Sequence, residues 1–90
     1  MKELLVEKEY EKCIKKLKKK HCNMEPLKEL VGLLLKGTLL PGKYKDHALT
    51  GNLQGYRECH IKDDNWLLMY KSTDTEIILV KTGTHDDFYK

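Results

Sequence analysis

Three histidines in the second half of the chain, His47, His60 and His85, are the residues whose type carries chemistry most directly. They are separated by 13 and 25 positions, so only folding could bring them together. An imidazole with an ordinary pKa of ~6.5 gives and takes protons near neutrality. A pair of them flanking a phosphodiester could activate a ribose 2′-OH and protonate the leaving 5′-oxygen. Each such role is worth on the order of 10²–10⁴ in rate. Phosphate charge calls for cationic donors, and Lys45 and Arg57 are the nearby candidates. The bland reading is three surface or hydrogen-bonded histidines.

Parity restrains the set. Along a strand over Tyr56–Ile61, His60 shares a face with Tyr56 and Glu58, while Arg57, Cys59 and Ile61 point the other way. An undistorted strand therefore cannot present Arg57 and His60 directly to one phosphate. A metal site is the competing use of these residue types. His21-Cys22 and Cys59-His60 are adjacent pairs, which is not the ligand spacing of structural zinc, so no metal and no cofactor is expected. Trp66, Phe88 and Tyr89 lie around the same region and offer rings on which splayed RNA bases stack; Trp66 serves equally well as a core ring at a strand start.

The elements that must position these groups are legible in the pattern. Tyr10, Cys13, Ile14, Leu17 and His21 recur at helical spacing and predict a helix over 8–21. Asn23 as N-cap, Pro26 in the first turn, a Leu27/Leu30/Val31/Leu34/Leu35 stripe and a Lys36-Gly37 stop predict a second helix. The short connection at Cys22 makes the two an antiparallel hairpin. From Thr38 to Gly55 the chain reads as a structured loop. Three candidate strands follow, Tyr56–Ile61, Trp66–Lys71 and Ile77–Thr82, joined by Asp63-Asp64-Asn65 and Thr73-Asp74-Thr75, a pattern that favours an antiparallel meander. Helices first and strands after give an α+β class, a small antiparallel sheet with a helical hairpin packed on one face. Leu4-Leu5-Val6 begins the first helix or forms its own strand; periodicity alone leaves both open.

Ninety residues make one domain, 1–90, able to bury roughly 60–65% of its unfolded surface without staples. Three cysteines without a CxxC pair argue against a disulfide framework. The longest apolar run, Trp66–Tyr70, is far short of the ~20 residues a membrane span needs, and Met1–Glu7 lacks the apolar core of a signal peptide. The expectation is a soluble cytoplasmic protein with no membrane partner. The net charge of +3 is local: residues 1–22 carry eight Lys against four Glu, concentrated in Lys15–Lys20. Such a run is a solvated helix face or a polyanion contact.

Four blocks then stand in order: Tyr44-Lys45-Asp46-His47-Ala48-Leu49-Thr50-Gly51, Gly55-Tyr56-Arg57-Glu58-Cys59-His60-Ile61, Trp66-Leu67-Leu68-Met69-Tyr70, and Thr82-Gly83-Thr84-His85. Together they resemble the YafQ branch of the RelE toxin superfamily, specifically over residues 38–90 and generically over the helical hairpin. The resemblance implies a RelE-like fold with an N-terminal strand, which favours Leu4–Val6 as that strand. It implies a type II toxin, a ribosome-dependent mRNA interferase cutting codons in the ribosomal A site and silenced by a cognate antitoxin whose complex binds operator DNA in some systems.

Carried over by motif, His47, His60 and His85 become the acid–base set, His85 as general acid and His60 as general base or orienting group. Asp64 becomes the helper, while Lys45, Arg57, Trp66, Phe88 and Tyr89 remain the RNA-contact candidates that residue type and position offer. The family's Pro-Asp before the hydrophobic strand is Asp63-Asp64-Asn65 here; counting forward from His60 selects Asp64, counting back from Trp66 selects Asn65. The aromatic four residues after the last histidine is Tyr89, which keeps a stacking face. The alternative is a non-catalytic RNA- or antitoxin-binding module with a decayed site; the complete histidine triplet argues against decay.

Overall fold

A computed structural model of the chain describes residues 1–62 and 65–89. The elements run β1 (Glu3–Val6), α1 (Lys8–Lys19), α2 (Glu25–Lys36), β2 (His47–Ala48), β3 (Arg57–His60), β4 (Leu67–Ser72), β5 (Glu76–Gly83) and α3 (His85–Tyr89), with single 3₁₀ turns at Gly42–Tyr44 and Gly51–Leu53.

Helix α1 turns Tyr10 fully, and Cys13, Ile14 and Leu17 partly, toward the sheet, leaving its lysines in solvent. Glu9 and Glu11 in its first turn and Lys16, Lys18 and Lys19 in its last suit the helix dipole. The helix stops at Lys19, two residues short of the expected end. His21 takes a left-handed conformation (φ 57°). Its N–H donates to the Lys18 carbonyl at 3.0 Å, and the Cys22 N–H to the Leu17 carbonyl at 3.1 Å. This is a Schellman close with histidine in the position glycine usually fills, so the sequence carries no stop signal there. His21 accordingly leaves the apolar face assigned to it by spacing. In α2 the N-cap is Met24, one residue after the expected Asn23, whose side-chain oxygen accepts from the Glu25 N–H at 3.1 Å; Pro26 in the first turn and Gly37 closing the helix at φ 74° are as expected.

The five strands form one sheet in the order β1-β5-β4-β3-β2. The meander β3-β4-β5 is antiparallel, as expected, and so is β2 on β3. Residues 4–6 do form a strand, but β1 lies parallel to β5, with Leu4 opposite Ile77 and Val6 opposite Leu79. The sheet is therefore mixed rather than wholly antiparallel. Two helices and the whole meander separate β1 from β5, and no tight turn dictates opposite directions. Leu27, Leu30 and Leu34 of α2 and Tyr10 of α1 pack on Cys59, Leu68, Tyr70, Ile77 and Leu79 to form the core on one face. Glu58 and His60 alternate with Arg57 and Cys59 and so face away from that helical layer.

Candidate active site

Strand β2, two residues long, was not expected, yet it sets the site: it registers His47 directly against Glu58 of β3. His47 Nδ1 lies 2.8 Å from the Lys45 carbonyl oxygen. A carbonyl only accepts, so Nδ1 carries the proton and Nε2 is the nitrogen left with a lone pair in the neutral ring. That Nε2 lies 3.8 Å from a Glu58 carboxylate oxygen, and Glu58 is only 4% exposed. The other Glu58 oxygen accepts the hydroxyl of Tyr89 from α3. Burial, and then this bond, pushes the Tyr89 phenol up to about 12.

His60 and His85 converge at the same place. Their ring centres are 6.3 Å apart, edge to face, and His85 is 6.0 Å from Tyr89. Phe88 packs 5.9 Å from Tyr89 and lies under the Lys81 ammonium at 4.6 Å. The line His47–Glu58–Tyr89–His85–His60 thus joins three elements by contact. Two imidazoles this close can reach the same substrate group, one taking a proton and the other giving one.

Helix α3 was also missed by periodicity, being only five residues long. Its signal is a capping box: the Thr84 N–H donates to Asp87 Oδ2 at 2.9 Å, and the Asp87 N–H donates to Thr84 Oγ1 at 3.3 Å. The Thr84 N–H holds the Asp87 carboxyl below its ordinary value. A Cβ at Gly83 would come within 2.6 Å of Asp87 Oδ2, so a larger residue there must displace the Asp87 side chain.

The remaining sequence candidates divide. Lys45 is exposed next to His47, held in a left-handed conformation at φ 49°. Arg57 goes to the opposite face, as strand parity requires. There its Nε and Nη2 donate to Asp46 at 3.2 and 2.8 Å, so it is not brought to the histidines. Trp66 is half-buried and its indole N–H donates to Thr82 Oγ1 at 3.1 Å, which ties it to β5. Asp64 lies outside the described residues; Asn65 is exposed. Glu58 is the group that sequence reasoning left without a role, although parity put it beside His60. Among the described residues no cluster of three or more His, Cys, Asp or Glu side chains is arranged to hold a metal ion.

A small mixed sheet with two helices on one face and histidines gathered on the other defines a RelE-like α+β toxin domain. A family model described as "Bacterial toxin of type II toxin-antitoxin system, YafQ" matches residues 2–90, and the chain belongs to that family. It is 46% identical over 78 residues to the mRNA interferase toxin YafQ of Escherichia coli strain K12, covering 86% of this chain and 84% of that protein. The crystal structure of YafQ from E. coli strain BL21(DE3) superposes over 100% of both chains with a TM-score of 0.91 and 35% identity. YafQ in the E. coli DinJ–YafQ toxin–antitoxin complex gives 0.90 and 39% identity, over 99% of this chain and 98% of that one.

Proposed function

We propose that this toxin is a ribosome-dependent mRNA interferase working by histidine acid–base catalysis on codons in the ribosomal A site. The observation that carries the reading is the approach of His60 and His85 to 6.3 Å beside the His47–Glu58 pair. One imidazole accepts the proton of a ribose 2′-OH as that oxygen attacks the adjacent phosphorus. His85, at the exposed end of α3, gives its proton to the departing 5′-oxygen. The bond to the 5′-oxygen breaks as the 2′-oxygen bond forms, leaving a 2′,3′-cyclic phosphate that water can open to a 3′-phosphate. The nucleophile is internal to the substrate, so the histidines suffice and no metal is invoked. Lys45 and Lys81 supply nearby cations, and Phe88 and Tyr89 supply rings for an unstacked base. Asp64 is kept as a helper on motif grounds.

The exposed lysines of α1 suit docking on ribosomal RNA. The cognate antitoxin is the protein partner, by analogy with DinJ on YafQ. Their complex is the form in which operator DNA would be bound, and a ribosomal substrate places the work in the cytoplasm.

The test is cleavage of a reporter mRNA by purified toxin with and without translating ribosomes. Cuts confined to translated codons support the proposal. Cleavage of naked RNA would remove the ribosome from the mechanism, and no cleavage by folded protein that still binds ribosomes would favour a binding module.

A further inference from the structure

Asp46 immediately precedes His47, and its side chain leaves the site altogether. It passes to the helical side of the sheet, where three donors close on it. Arg57 gives it Nε at 3.2 Å and Nη2 at 2.8 Å, and the Tyr70 hydroxyl donates to its Oδ1 at 2.5 Å. Arg57 and Tyr70 are a cross-strand pair of β3 and β4, so the acceptor is gripped by two neighbouring strands of the sheet. Tyr70 is buried. The Asp46 hydrogen bond is the leading reason that the Arg57 guanidinium holds its proton more tightly than usual. A forked Arg–carboxylate contact fixes both distance and plane, which a single lysine contact does not.

What this grip holds in place is the residue on each side of Asp46. Lys45, at φ 49° and ψ 39°, closes the 3₁₀ turn in the left-handed conformation, uncommon outside glycine, with its N–H donating to the Gly42 carbonyl at 3.0 Å. In that conformation its carbonyl receives the His47 Nδ1 proton at 2.8 Å. We propose that Asp46, clamped by Arg57 and Tyr70 across the sheet from the histidines, is a positioning residue that locks His47 in its Nδ1–H tautomer and aims Nε2 into the active site. Arg57 therefore serves the reaction from the back of the sheet and does not bind RNA. The inference rests on the reading of His47 as a member of the acid–base set.

The test separates the two. In protein labelled with ¹⁵N at histidine, long-range ¹H–¹⁵N spectra report which ring nitrogen carries the proton, with His47→Ala assigning the resonance. Wild type should give the Nδ1–H pattern for neutral His47, and Arg57→Gln and Tyr70→Phe should shift it toward the Nε2–H form a free imidazole prefers in water. On programmed ribosomes both variants should lose kcat, on the order of 10–100-fold for Arg57→Gln, with KM little changed. Arg57→Lys should restore part of it. Tyr70→Phe removes one hydroxyl and keeps the ring, so it remains informative if Arg57→Gln folds poorly. An unchanged His47 tautomer in folded Tyr70→Phe and Arg57→Gln would overturn the clamp, whatever His47→Ala does. A lost tautomer with full activity in His47→Ala would leave the clamp standing and remove His47 from catalysis.

Discussion

The Tyr89 hydroxyl donates to Glu58, so the helix that carries His85 is tied to the strand that carries His60. The spacing of those histidines is therefore set by a contact neither of them makes. It also gives a purpose to the phenol in a place where phenylalanine would stack as well.

Tyr89→Phe should leave the melting temperature within a few degrees of wild type, since the residue is 51% exposed and lies in a short terminal helix. Cleavage should fall, by roughly fivefold for about 1 kcal/mol of positioning lost. A kinetic assay on programmed ribosomes beside a thermal melt checks this; a fall in stability equal to the fall in activity would mean the bond is structural only.

The same contact sets an alkaline limit. A phenol at about 12 in the fold and 10.0 when unfolded favours the folded state below pH 10, and that contribution is lost as the pH rises through 12. Amide exchange of Phe88 and Tyr89 should accelerate across that window in wild type, relative to the sheet, and show no such step in Tyr89→Phe.

Gly83→Ala should detach α3 without unfolding the sheet. The added Cβ meets Asp87 Oδ2 at 2.6 Å and breaks the capping box that starts the helix at His85. Loss of such a cap costs about 1 kcal/mol locally. Asp87→Asn should reproduce part of the effect, and acid should too. The Asp87 carboxyl is held below its ordinary value, so its contribution is present above the unfolded pKa and is lost as the pH falls through the folded one. Backbone chemical shifts of residues 84–89 are the measurement.

Cys59 is fully buried, and burial pushes its thiol far up. Cys13 and Cys22 are partly exposed. A thiol reagent should therefore label two cysteines quickly in the native protein and the third only on unfolding. Rapid labelling of Cys59 would mean that the sheet opens beneath the helices.

Much of this was legible in residue patterns, and the failures have physical causes. Leu27, Leu30 and Leu34 repeat over enough turns to announce α2, and Gly37 marks its end. His21 occupies a left-handed position that glycine would have advertised, so the end of α1 was overrun. The β1 strand has no alternation to read, because Leu4, Leu5 and Val6 are apolar in a row; only the family resemblance selected it, and nothing local specified its parallel pairing. β2 and α3 are too short for periodicity, although Thr84 and Asp87 spell a capping box. Strand parity placed Arg57 opposite His60 correctly, and the same parity placed Glu58 beside His60, but a lone glutamate on a strand gives no hint that a histidine and a tyrosine from elsewhere will close on it.

The central claim is that imidazoles move the protons, and the pH dependence of single-turnover cleavage on translating ribosomes tests it most directly. Wild type should give a bell, His85→Ala should lose the limb of the acid, and His60→Ala should lose the limb of the base or orienting group. If both limbs survive in both variants, the histidines are not the acid and base, and the account fails.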